Sequence, residues 1–231
     1  MSAIRMVRRG LCQNGAKSRC GNGESPYRFD TLNGVTSMHE HFPESTRLGG
    51  GLMIRPVDPN DDSPMIYEWT RAKRARFWGM GWATQNDIRD IYYTLAASET
   101  HHAYVLSWEG RACAIFQTYD PRSDEVGQFY PVDNHDLGFH LMLGPRDVFS
   151  TSAPRSRAVR RVIEGLAPEV IRRTGARRLL ADPDSNNERA IQRLRSIGFT
   201  PMSRVWLPGQ AKQAELMIHD DARQFCTPYG I

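Results

Sequence analysis

Two stretches about forty residues apart constrain the fold of this chain more than anything else in it. The first, Asp136-Leu-Gly-Phe-His140-Leu-Met-Leu-Gly-Pro145, alternates like a strand: Leu137, Phe139, Leu141 and Leu143 point to one face, and Gly138, His140 and Met142 to the other. A histidine therefore projects from a sheet on the side opposite an apolar face. The second runs from Leu179 to Phe199. It reads as a buried strand ending at Asp182-Pro183, a turn, and a helix with Ala190, Ile191, Leu194 and Ile197 along one side. Gly198 then stops the helix.

The rest of the chain supplies the partners these elements need. Leu52–Val57 reads as a first strand, Asp58–Asp62 as a turn with capping residues, and Ser63-Pro64 as the opening of a helix with Met65, Ile66 and Trp69 on one face. A basic run, Arg71 to Arg76, leads into Phe77-Trp78-Gly79-Met80, and a second helix is expected over Thr84–Ala97. Strands follow at His102–Ser107, Ala112–Tyr119 and Gly127–Tyr130, the first two joined at Glu109-Gly110. After the His140 strand come a helix over 154–173, the Leu179 strand, the helix after Asn187, and strands at Thr200–Leu207 and Glu215–His219. Mixed strands first, then strand, helix, strand, helix, strand, make an α/β sandwich around one mixed sheet flanked by helices.

The strand, turn, helix, Gly-Phe order from Leu179 to Phe199 resembles the closing half of the GNAT acyl-CoA N-acyltransferase fold. His140 within Asp-Leu-Gly-Phe-His, Asp182-Pro-Asp-x-x-Asn187 and Phe77-Trp-Gly-Met80 narrow the likeness to the siderophore-biosynthesis branch, which includes acyltransferases of the aerobactin, desferrioxamine and mycobactin pathways. The resemblance runs from Leu52 to Gln224-Phe225-Cys226, some three quarters of the chain. It implies acyl-CoA, carrying acetyl or succinyl, as co-substrate, and a lysine- or cadaverine-like amine or hydroxylamine as acceptor. Acetylation of another small amine, such as an antibiotic or polyamine, and acyl-CoA binding without catalysis are the competing readings.

Acyl transfer to an amine needs a base, a place for the thioester carbonyl and an anchor for phosphate. The resemblance puts the base at His140, imidazole being the side chain suited to take a proton in acyl transfer; the plain structural alternative is a partly buried histidine satisfied by a neighbour. Asp182 is its expected support and Asp184 the competitor, although Asp and Asn before a helix are capping residues by default. Asp184 is accordingly taken as the cap, and Asn187 as a cofactor neighbour. By analogy with the fold, backbone N–H groups of Met142 or Leu143 would face the thioester carbonyl. The phosphate anchor falls on Arg155-Ser156-Arg157-Ala158, where the two glycines usual in such folds are missing and two arginines stand instead. Trp78, Met80 and His135 are assigned to the acceptor pocket.

Charge and cysteine content limit the classes open to the chain. Of the formal net charge of +4, residues 1–50 carry seven Lys or Arg against four Asp or Glu, leaving the remainder near neutral at +1. No one-signed face supports nucleic-acid binding. Residues 1–50 end in Gly49-Gly50-Gly51, have few periodic apolar positions, and are expected to be a disordered extension to a domain spanning 51–231. Cys12, Cys20, Cys113 and Cys226 have no metal-ligand spacing, and neither His39-x-His41 nor His135 with His140 finds a third ligand. No apolar run approaches the roughly 18 residues of a membrane span, so a reduced, cytoplasmic setting is expected.

Overall fold

The computed structural model describes residues 42–148 and 155–226, with residues 155–158 described by their backbone alone. Eight strands form one sheet: β1 (Thr46–Arg47), β2 (Leu52–Pro56), β3 (His101–Trp108), β4 (Arg111–Tyr119), β5 (Asp136–Leu143), β6 (Arg178–Ala181), β7 (Thr200–Leu207) and β8 (Lys212–His219). Their spatial order is β1-β2-β3-β4-β5-β6-β8-β7, and every neighbouring pair is antiparallel except β5 with β6. Among the described residues four helices cover the sheet: α1 (Pro59–Arg71), α2 (Gln85–Ala96), α3 (Arg155–Thr174) and α4 (Glu188–Ser196).

The faces follow from the alternation of strand side chains. Val57, Val105, Ile115 and Met142 pack with Ile66 and Trp69 of α1 and Ile88 and Ile91 of α2. Opposite them, Ile54, Leu106, Phe116 and Leu137 pack with Val162, Leu166 and Val170 of α3 and Ile191 of α4. Each such fully buried aliphatic side chain contributes about 1.5–3 kcal/mol over leaving it in water. His140 shares the α1–α2 face with Met142, as the period of two requires.

Local chemistry sets the helix ends. Asp58 caps α1 by accepting from the N–H groups of Asn60 and Asp61, with Pro59 at the first helical position. The helix thus begins at Pro59 rather than Ser63, and Asp62, expected in the turn, is buried inside it with Arg55 holding both carboxylate oxygens at 2.7 Å. Thr84 and Asp87 form a capping box at the start of α2. Arg71, at the end of α1, donates to the carbonyls of Gly81 at 2.7 Å and of Ala83, and so ties down the short 3-10 turn (Lys73–Trp78) that carries Trp78.

Three further expectations change. Residues 42–50, read as part of the extension, belong to the fold: Phe42 and Leu48 are buried in the α3-side core, and β1 pairs with β2. The strand expected at Gly127–Tyr130 is instead a 3-10 turn (Glu125–Gln128) capped by Asp124, because the segment folds back on itself and packs against Pro121. Asn187 caps α4 by accepting from Ala190 N–H, while Asp184 accepts from both nitrogens of Asn186 one turn earlier. The cap is therefore Asn187 and not Asp184.

Candidate active site

The site arises where the two parallel strands part. β5 and β6 pair only over Asp136–Gly138 with Arg178–Leu180, after which β5 continues for five residues with no strand beside it on that side among the described residues. Pro183 has no N–H to extend a ladder, and the chain beyond Asp182 stays with β8: Glu215 N–H donates to the Pro183 carbonyl at 2.9 Å and Ser185 N–H to Gln213 at 2.8 Å. β6 is drawn off toward β8 and a gap opens beside β5.

Strand register decides which amides face that gap. Gly144 N–H donates to Cys113 on β4 at 2.8 Å, and Leu143 and Gly138 lie opposite Ala114 and Tyr119. Alternate residues of an antiparallel ladder point the same way, so Met142 N–H is spent on β4 while the N–H groups of Leu141 and Leu143 point into the gap. Of the two amides expected to face the thioester, Leu143 is therefore placed for it and Met142 is not; the Met142 side chain is buried on the α1–α2 side.

His140 and Asp182 meet across the gap. His140 Nε2 lies 2.9 Å from Asp182 Oδ1, the same oxygen to which the Tyr119 hydroxyl donates at 2.8 Å. Lys212 Nζ donates to Asp182 Oδ2 at 3.0 Å and to the Asp182 main-chain carbonyl at 2.7 Å. Asp182 is 2% exposed. Burial alone would push its carboxyl pKa up, but the charges and hydrogen bonds of Lys212 and His140 outweigh it and hold the group well below the usual carboxylate range. An ionised Asp182 keeps the neutral imidazole proton on Nε2, which leaves the lone pair on Nδ1. The Tyr119 hydroxyl, buried beside this carboxylate, has its pKa raised far above the phenol range and stays a donor.

A cavity of about 410 Å³ passes through the gap, within the size range of small-molecule sites. On the α1–α2 side it is walled by Trp78, Gln117, His140 and Lys212, and on the other by apolar side chains of β5, α3 and α4. The Trp78 ring meets the His140 ring edge-on at a centroid separation of 6.2 Å. Met80 is a core residue whose edge reaches the wall. Asn187 also lines the cavity while capping α4.

His135 is not brought to the site. It sits at the opposite end of β5, its ring beside Asp133 and its carbonyl accepting from Arg177 N–H at 3.0 Å, where it holds the entry to β6. His140 lies five residue steps further along the chain, roughly 16 Å at the strand rise. Arg155, Ser156, Arg157 and Ala158 form the first turn of α3, and their side chains lie outside the described residues.

Residues 58–207 match the acetyltransferase (GNAT) domain family. The chain belongs to that family. Among curated proteins it is similar to the lysine N-acyltransferase MbtK of Mycobacterium sp. (strain MCS), 26% identical over 61% of this chain and 56% of that protein. It is also similar to the N(6)-hydroxylysine O-acetyltransferase of Escherichia coli, 21% identical over 80% of this chain and 56% of that one. The chain thus spans just over half the length of both relatives. A solved structure of AAC(6')-Ib with paromomycin and acetyl-CoA shares the GNAT fold, with a TM-score of 0.61 at 20% identity over 76% of this chain and 95% of that one.

Two residues that meet Asp182 in this site, Tyr119 and Lys212, escaped the sequence reading. Tyr119 had a signal: a glycine in mid-strand marks a close approach, and a Cβ on Gly138 would stand 2.1 Å from the Tyr119 ring. Lys212 had none, since it reaches Asp182 only through the turn at Ala211, whose φ is +50°.

Proposed function

We propose that this chain is an acyl-CoA-dependent N-acyltransferase that acylates the terminal amine or hydroxylamine of a lysine- or cadaverine-like molecule on the way to a hydroxamate siderophore. The observation that carries the reading is the His140–Asp182 pair at the mouth of the β5–β6 gap, with Nδ1 of His140 left to accept a proton from the attacking nitrogen. The outward amides of Leu141 and Leu143 offer donors to a developing oxyanion. Pantetheine amides fit the unpaired edge of β5, and acyl-CoA supplies the activated acyl group. Trp78 packs the acceptor's alkyl chain against the imidazole.

The names of the two curated relatives support the substrate assignment. A second reading, acetylation of a polycationic amine such as an aminoglycoside, draws on the likeness to AAC(6')-Ib. Charge favours the first. Among the described residues, the carboxylates lining the cavity are Asp182, held by Lys212 and His140, and Asp184, engaged by Asn186. Asp184, which accepts only from the neutral Asn186, is the one carboxylate there left to meet an ammonium group, which suits an acceptor with one or two amines better than a polycation.

The test is thiol release from a panel of acyl-CoAs with N6-hydroxylysine, N-hydroxycadaverine, lysine, cadaverine and an aminoglycoside, product masses being recorded. Turnover with one of the first four, and not the aminoglycoside, is expected. Turnover with the aminoglycoside alone would overturn the reading.

A further inference from the structure

Arg193 stands in the α4 wall of the cavity, which α3 also lines, on the side of the sheet away from His140. It is half-buried, yet no carboxylate among the described residues lies within ion-pair distance of it. The charge acting on it is a like one, Arg189 one turn earlier on the same helix; burial first and this repulsion second lower its pKa. Other half-buried arginines of this chain are neutralised: Arg55 by Asp62, Arg178 by Asp136, Arg173 by Glu169. A guanidinium taken partly out of water beside another cation costs free energy unless something repays it. Among the described residues no counter-ion stands beside it, and the residue borders the ligand cavity.

We propose that Arg193 is a phosphate anchor of the acyl-CoA site, holding the diphosphate or the 3'-phosphate of the nucleotide portion through charge-assisted hydrogen bonds. The assignment accounts for a feature of the sequence that family resemblance leaves open. The stretch before α3 lacks the two glycines that would let a loop backbone wrap closely around phosphate, which leaves a larger share of anion binding to side chains. Arg193 supplies one from α4, four residues after Arg189, so that both side chains lie on neighbouring positions of one helix face. The proposal rests on the acyl-CoA part of the proposed function and on none of its acceptor chemistry.

Calorimetric titration of the full chain with CoA, dephospho-CoA and pantetheine, without any acceptor, tests it. Arg193→Met is expected to weaken CoA roughly tenfold or more, the loss typical of one hydrogen bond to a charged group, and to leave pantetheine unchanged. Arg193→Lys should recover part of the loss, and the salt dependence of CoA affinity should flatten in Arg193→Met. Dephospho-CoA tells the two phosphates apart: a penalty that persists assigns the diphosphate, and one that vanishes assigns the 3'-phosphate. Because the free protein carries an unrepaid cation, Arg193→Met should melt no lower than the parent when CoA is absent, while gaining less from added CoA. Unchanged CoA affinity would overturn the proposal. So would an equal loss for pantetheine, or a rise in acceptor KM with CoA affinity intact. A silent acceptor panel would leave these outcomes untouched, so the two failures are distinguishable.

Discussion

Gly138 lies directly opposite Tyr119 on the neighbouring strand, and the phenol ring occupies the volume that a side chain at 138 would need. That vacancy lets the tyrosine cross β5 and donate to the oxygen of Asp182 that also meets His140. The glycine in the motif is thus a structural condition of the His140–Asp182 contact. Gly138→Ala should destabilise the fold by about 1–3 kcal/mol through overpacking and displace Tyr119 from Asp182. Urea unfolding together with kcat would show both losses; a variant of parental stability and activity would refute the role given to the vacancy.

His140→Ala should lower kcat about a hundredfold or more while leaving CoA affinity within error, because a general base acts on the acceptor nitrogen and not on the nucleotide. Steady-state kinetics beside CoA titration separates the two. An equal loss in both would make His140 a packing residue against Trp78 and Tyr119.

Asp182 links the site to acid stability. Its carboxyl pKa is depressed in the folded chain relative to an unfolded value near ~3.9. The stabilisation is therefore present above that value and lost as pH falls toward the folded pKa. Asp182→Asn lacks this contribution. The stability gap between the parent and Asp182→Asn should be constant from pH 7 to about 5 and narrow below about pH 4, read by denaturant midpoints at each pH. A gap that stays constant to pH 3 would mean that the carboxylate is not held by its cations.

Lys212→Met removes a cation from a carboxylate that stays buried. The expected cost is about 1–3 kcal/mol, discounted because the lysine keeps some exposure. The same variant should lose activity as Asp182 loosens from His140. Combined with Asp182→Asn, the two changes should be non-additive by on the order of 1 kcal/mol, since each removes the same contact. Additivity would show that the pair is not coupled.

Gly209 N–H donates to the buried Glu125 carboxylate at 2.8 Å, and a Cβ at 209 would stand 2.8 Å from it. This contact fixes the β7–β8 turn that delivers Lys212. Gly209→Ala should reduce kcat several-fold by shifting Lys212, with Glu125→Gln milder because the amide keeps an acceptor oxygen. Kinetics that respond to neither change would detach the turn from the site.

The sheet-and-helix order could be read from the residues because period-two and period-3.6 patterns are local, and the helix from Glu188 and the strand holding His140 stand within a residue or two of expectation. The strand expected at Gly127–Tyr130 was misread because a short apolar run carries no information on whether a partner strand is in reach. Phe42 and Leu48 were missed for a related reason: isolated apolar residues among polar ones declare themselves core only once α3 lies over them.

By itself the sequence determined which residues could do chemistry and on which element each sits, since backbone propensity and side-chain alternation are properties of neighbouring residues. It placed His140 on one face of its strand and Asp182 at the end of another. Tertiary structure alone decided that the two strands part after Gly138, that Leu143 rather than Met142 turns its amide to the gap, and that His135 falls at the far end. It also brought Tyr119 from 63 residues away and Lys212 from 30 onto one carboxylate. Such choices depend on strand register and on the paths of turns, which are set by contacts distant in the chain and leave no mark in the spacing of any one segment.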